Sequence, residues 1–419
     1  MSKKNSNVIA IGIMFFLFAM ISFVTGLQNP MGVIVKAQFE ASNFMSQLGN
    51  AANFIAYAFM GLPAGFILNK YGYKKTALAA VAVGFVGVGI SFLSGVLTSF
   101  AVYLTGAFVS GFSMCMLNTV VNPMLNTLGG GGNKGNQLIQ WGGSMNSMAA
   151  TIVPIFVGYL MGDAAQAKIS DANPALFIAM GVFALAFVII LLSAIPEPEQ
   201  EVESAESESV TSSIKSVFNY KHFVFGIIAI FVYVGVEVGI PNFVNLYMTS
   251  AEVGIAASVA GTVVGMYWLF MLCGRLVGGV LGGKVSSRIM MTAVSSLALV
   301  LLALGMFMPS TFVKFPSVTS ELSFAMVDIP LNVVFFILCG LCTSVMWGNI
   351  FNLAVEGLGK YTSIASGLFM VMVCGGGILP LLQGVVADGF GFIPSYWVMF
   401  AGVAYMLVFA LFLSKPAKK

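Results

Sequence analysis

Long apolar stretches separated by short polar turns recur twelve times along this 419-residue chain. They fall near residues 8–35, 43–69, 75–97, 99–127, 137–162, 174–195, 221–249, 254–282, 288–309, 330–356, 361–387 and 393–414, and are numbered here as spans 1 to 12. Each exceeds the roughly 20 residues that a helix needs to cross the hydrocarbon layer with all its backbone amides bonded internally. A transmembrane barrel would instead show ten-residue segments of alternating polarity. The first run follows Lys3 and Lys4 but is too long for the apolar core of a signal peptide, and no A-x-A site closes it. It is read as a retained first span.

Composition sharpens this reading. Hydrophobic residues make up 59% of the chain and charged residues only 8%, against roughly 25% charged in soluble domains. So few charges exclude a soluble enzyme, a nucleic-acid binder and a disordered protein. The placement of the basic residues then sets the orientation. Fifteen of the 18 Lys and Arg fall on the side of the N-terminus, and only Lys36, Lys168 and Lys314 fall on the other. By the positive-inside rule both termini are expected in the cytoplasm of a multi-pass plasma membrane protein, the inner membrane of a bacterium. The asymmetry also requires an even number of spans.

One long polar stretch, residues 196–219, holds six of the 15 acidic residues, among them Glu197 and Glu208. Its composition predicts a solvated, mostly disordered tether with an amphipathic end near Ile214–Phe218. It divides the chain into 1–195, a first bundle of six helices, and 220–419, a second. The halves echo each other. GLPAGFILNKYGYKK (61–75) closes span 2, and GRLVGGVLGGKVSSR (274–288) closes span 8. Each sets small residues on a helix before a short basic turn. Repeats of this kind mark proteins whose two bundles rock around a central site.

On these features the chain resembles the major facilitator superfamily, with Gly65, Lys70, Gly72, Lys74 and Lys75 in place. Asn69 stands where that family's turn carries an Asp. Within the superfamily it looks like the fucose–galactose–glucose:proton symporter family, on Leu27-Gln28-Asn29-Pro30, Leu117-Asn118-Thr119, Asn122-Pro123, Gln140, Tyr233-Val-Gly-Val-Glu237 and Gly375-Gly376-Gly377. The resemblance implies an all-α protein of twelve transmembrane helices in two six-helix bundles, with spans 1, 4, 7 and 10 lining a central cavity. It also implies gating roles for Gly65, Lys70, Gly72, Lys74 and Arg275.

Polar groups inside a membrane are costly and by default mark a pathway. Glu237 is the one acidic residue deep in a span. It must be protonated, paired or in a wet cavity, and either binds substrate or ion or simply bonds a neighbouring helix. Glu252, Asp328, Glu356 and Asp388 fall at ends or in loops, as gate or cap contacts or as solvated groups. Gln28, Asn29, Asn118, Asn122, Gln140, Asn242 and Asn349 are the amides expected around the cavity. Amides both donate and accept, as sugar hydroxyls do. An anionic solute would call for a core cation, and Arg275 and Lys36 sit at span ends. Trp141, Trp268 and Trp347 offer faces on which a sugar ring could stack. Singly, each amide serves equally well to join helices.

Five cysteines lie in spans. Cys339-Gly-Leu-Cys342 reads as packing rather than redox chemistry. With one His there is no expected metal site, and no cofactor or catalytic cluster is expected. The reading is a monomeric secondary transporter of a small neutral sugar such as fucose, glucose or galactose. A facilitator, or a carrier of a non-sugar solute, is the alternative. The proton-coupled members of the resembling family carry acids in spans 1 and 4, where this chain has Asn29 and Asn118. Three couplings stay open: H⁺ through Glu237, Na⁺ held by Glu237 with amide and carbonyl oxygens, or none.

Overall fold

The computed structural model describes residues 3–129, 132–161, 168–197, 210–281, 285–318, 323–358 and 361–415. Ten helices in it are long and apolar enough to cross a membrane alone: Asn7–Gln38, Leu48–Leu68, Lys70–Leu97, Phe100–Leu125, Ser170–Leu192, Lys221–Thr249, Ala257–Leu281, Ser287–Phe307, Gly367–Phe390 and Phe392–Leu413. They are spans 1 to 4, 6 to 9, 11 and 12. Span 5 is the helix Gly132–Met161. Span 10 is two helices, Leu331–Thr343 and Met346–Val355, bent by 41°. The fold is therefore the expected one of twelve helices in two six-helix bundles. The outward faces are apolar, with Phe66, Val86, Leu192, Val280, Leu297 and Phe412 exposed, as lipid contact requires.

Two features go beyond the sequence reading. An antiparallel hairpin, β1 (Phe312–Val318) and β2 (Phe324–Pro330), joins spans 9 and 10, with Lys314 opposite Asp328. The run FVKFPSV is rich in β-branched and aromatic residues. Each strand is too short to stand out as an apolar run of helical length. The second is a helix at Val210–Phe218, which gives the amphipathic end of the linker a definite start. The disordered tether expected before it, at 198–209, lies outside the described residues.

The bundles meet along two seams. Span 5 packs on span 8, and span 2 packs on span 11. At the side of the membrane away from the termini, hereafter the far side, the second seam is very close. A Cβ on Gly384 would stand 2.8 Å from Phe44 Cα and 2.9 Å from Phe44 N.

Candidate functional site

Span 7 is buried over most of its circumference, and Tyr233 and Glu237 lie one turn apart on it. Tyr233 Oη stands 2.9 Å from Glu237 Oε1 and 3.1 Å from the Thr343 carbonyl oxygen, where span 10 breaks. Arg275 of span 8 brings Nη2 to 3.5 Å from the same carboxylate oxygen, and both side chains are 13% exposed. The deep carboxylate is thus paired. Its partner crosses between bundles: Arg275 Nη1 donates to the Gly143 carbonyl and to Ser147 Oγ of span 5, each at 2.7 Å. Tyr267 Oη and Thr343 Oγ1, 3.0 Å apart, complete the cluster.

The placement of Arg275 corrects the sequence reading, which left the core without a cation. The residue is near the end of span 8, but Cα–Cβ bonds tilt toward a helix's N-terminus. Span 8 starts on the far side, so this side chain leans away from the near surface and into the membrane. A core cation held by a core carboxylate leaves the site neutral, which keeps the case for a neutral solute.

The amides divide into groups. Asn118 Nδ2 donates to Tyr57 Oη at 3.0 Å and to the Met114 carbonyl at 3.1 Å, and its Oδ1 has no partner among the described residues. Asn122 Nδ2 gives one bond, 2.9 Å, to the Asn118 carbonyl. Asn349 is 7% exposed, and its Nδ2 has no partner among the described residues. Trp347, on the same short helix, sets its ring edge-on to Tyr233, with centroids 6.2 Å apart. Trp268 packs edge-on against Tyr267, whereas Trp141 is half exposed. The helices run through Gln28, Asn29 and Gln140, but these side chains lie outside the described ones.

Asn242 does something else. Its Nδ2 donates to Gln47 Oε1 at 2.9 Å, joining span 7 to the start of span 2. Asn50 Nδ2 donates to the Gly376 carbonyl at 2.8 Å. Asp388, at the end of span 11, accepts the backbone N–H of Asn43 at 2.7 Å and of Phe44 at 3.0 Å. All four bonds cross between the bundles, and together they hold spans 7 and 11 against span 2. Gln47, Asn50 and Tyr57 were missed in the sequence, the first two because they open a span rather than occupy its middle. Tyr57 and Tyr233 were missed because a tyrosine in an apolar run reads as packing.

The basic turn after span 2 is built around Gly72, which adopts a left-handed φ of 79°. Beyond it, Glu197 accepts the backbone N–H of Tyr73 at 2.7 Å and of Lys74 at 3.0 Å, capping the start of span 3 with a carboxylate from the end of span 6. Lys74 Nζ donates to the Leu191 and Ser193 carbonyls, and Lys70 lies over the Tyr71 ring. These contacts sit within one bundle. Gly65 has open space where a Cβ would stand.

Comparison with known proteins agrees with this architecture. The sequence profile of the Major Facilitator Superfamily matches residues 14–379. A protein named glucose/galactose transporter from Brucella abortus is 28% identical, over 99% of this chain and 96% of its own length. A putative glucose/galactose transporter from Helicobacter pylori is 28% identical over 98% of both chains. The L-fucose-proton symporter of Escherichia coli is 21% identical over 96% of this chain and 93% of its own. The crystal structure of the transporter FucP in its outward conformation superposes with a TM-score of 0.73 at 19% identity, covering 98% of this chain and 100% of that one.

Proposed function

Because the chain belongs to the major facilitator superfamily, we propose that it carries a neutral monosaccharide across a membrane by alternating access. A cation moves in symport with the sugar, coupled at Glu237. The observation that carries this reading is the combination of a charge-neutral Glu237–Arg275 pair with amides at Asn118, Asn122 and Asn349 that keep donors or acceptors without a partner among the described residues. Sugar hydroxyls donate and accept in turn, and a buried amide without a partner is costly until a ligand supplies one. Gln28, Asn29 and Gln140 join the site on the resemblance alone, and the names of the relatives point to glucose, galactose or fucose. Residues 1–195 and 220–419 act as the two rocking bodies, with 196–219 as their link. The protein works as a monomer in a bacterial inner membrane with both termini cytoplasmic. Purified protein in liposomes, given an inward proton or sodium gradient, should accumulate one of these sugars. Failure with all of them under both gradients would reject the reading.

A further inference from the structure

The reading above leaves the coupling ion open and gives Arg275 no task; the present inference rests on that reading. We propose that the ion is a proton taken up by Glu237, and that Arg275 is the positioning residue that turns its arrival into release of span 8 from span 5.

The hydrogen-bond arithmetic around Tyr233 favours a proton. Its hydroxyl carries one hydrogen, yet two acceptors stand within reach, Glu237 Oε1 at 2.9 Å and the Thr343 carbonyl at 3.1 Å. With Glu237 ionised, the hydrogen serves only one of them, and if it goes to Thr343 then Oε1 keeps only the Arg275 contact at 3.5 Å. With a proton on Oε1, Glu237 donates to Tyr233, Tyr233 donates to Thr343, and both contacts are satisfied. The step forms one O–H bond with a proton from water. A sodium ion needs several oxygen ligands, and at Glu237 Oε1 it would meet the Arg275 guanidinium, which already stands 3.5 Å away.

The same guanidinium spans the bundle interface. Both Nη1 hydrogens are engaged on span 5, at Gly143 and Ser147, while Nη2 faces Glu237. The group is planar and rigid, so its two ends move together. Once Glu237 is neutral, Arg275 is a largely buried cation without a counter-charge, a costly arrangement. Moving the guanidinium toward water relieves that cost and breaks both bonds to span 5. Linkage demands the converse: separating spans 5 and 8 must raise the proton affinity of Glu237. The other titratable groups near Glu237 are few. Tyr233 is on its own helix and Tyr267 on span 8. Cys339 and Cys342 of span 10 and Tyr396 of span 12 lie around Tyr267. Span 11 brings Cys374 beside the glycine that packs on Phe231. The described side chains of span 5 include no ionisable group, and those of span 1 only the far-side Lys36.

The test needs no sugar. Nitroxides at Trp141→Cys in span 5 and Val280→Cys in span 8, in a Cys273→Ser background, report the separation of the seam in the full chain reconstituted in lipid. The distance in the parent should lengthen as pH falls, at constant sodium. Glu237→Gln should hold the long distance at every pH, and Arg275→Gln should abolish the response. Ser147→Ala should keep the pH response but raise the separated fraction at neutral pH about tenfold, the weight of one charged hydrogen bond. Should Arg275→Gln fail to fold, Arg275→Lys, which keeps the charge but lacks the planar fork that reaches Glu237 and span 5 at once, must also raise the separated fraction at neutral pH. A parent distance that follows sodium and not pH, or an Arg275→Gln protein that keeps the parent's response, would overturn the proposal. An error in the sugar would leave these outcomes unchanged.

Discussion

Substituting Gly384 by alanine tests whether the far-side seam belongs to one conformation only. An added Cβ would meet Phe44 Cα at 2.8 Å, Phe44 N at 2.9 Å and Asn43 C at 3.1 Å, all backbone atoms that cannot swing aside. Ordinary contact begins at 3.4 Å, so the two segments must part by 3.4 − 2.8 = 0.6 Å. The same movement strains the two Asp388 bonds, 2.7 and 3.0 Å at rest. Overpacking of this degree costs about 1–3 kcal/mol. A conformation in which span 11 has moved away from span 2 does not bear that cost. Gly384→Ala should therefore favour the far-side-open form by about 5- to 150-fold. Nitroxide pairs at Met45 and Phe390, both exposed near the seam, would report it as growth of a long-distance population. Gly389→Ala, on the same helix with open space at its Cβ, is the control and should change nothing. A folded Gly384→Ala protein with the parent's distance distribution would show that this approach does not gate the far side.

Four further outcomes are expected. Glu237→Gln should lose gradient-driven accumulation of sugar yet keep sugar-for-sugar exchange, since exchange moves no net ion; accumulation at the parent's level would remove Glu237 from the coupling. Asn349→Ala should weaken sugar binding about 2- to 10-fold, by one neutral hydrogen bond, without lowering the thermal midpoint, because its Nδ2 supports no bond in the fold; an amide that holds helices together would lose stability instead. Glu197→Ala should destabilise the protein by about 1 kcal/mol, the loss of a helix N-cap, read as a lower unfolding temperature in detergent and not as a change in substrate affinity. A cysteine at Ser204 should resist an impermeant reagent applied outside intact cells, and ready labelling would reverse the proposed orientation.

The spans were legible because membrane insertion leaves one solution for the backbone, and because the apolar runs are long. The charge-rich stretch between spans 6 and 7 is where the sequence sets the proposed division between the bundles. Glu237 stood out for the same reason: one carboxylate in the middle of an apolar helix has no ordinary explanation. The partner of that carboxylate was hidden because depth was judged from the position of Cα, whereas a long side chain leaning toward its helix's N-terminus acts several ångströms away. Asn242 and Asn349 looked equivalent in sequence, yet one is bonded to Gln47 across the seam and the other has an idle donor. Nothing local distinguishes them, since the difference lies in which helix of the other half comes opposite. The span 9–10 hairpin has strands of only 7 residues, too short to register beside apolar runs of helical length.

The break in span 10 has an electrostatic consequence. A continuous helix presents its dipole ends at the two membrane surfaces, where headgroups and water damp them. Leu331–Thr343 and Met346–Val355 instead place a C-terminus and an N-terminus in the interior of the bundle, each equivalent to roughly half an elementary charge, negative and positive. The carbonyls of the first end have donors close by: Tyr233 stands 3.1 Å from Thr343, the Ser344 hydroxyl serves Leu341, and the Thr343 hydroxyl lies between Cys339 and Gly340. The second end carries Trp347 and Asn349 in its first turn. A polar solute resting there meets a fixed field of both signs supplied by the backbone. A site so furnished can orient a polyhydroxylated molecule with very few charged side chains, which is how a chain this poor in charge can still discriminate among neutral solutes.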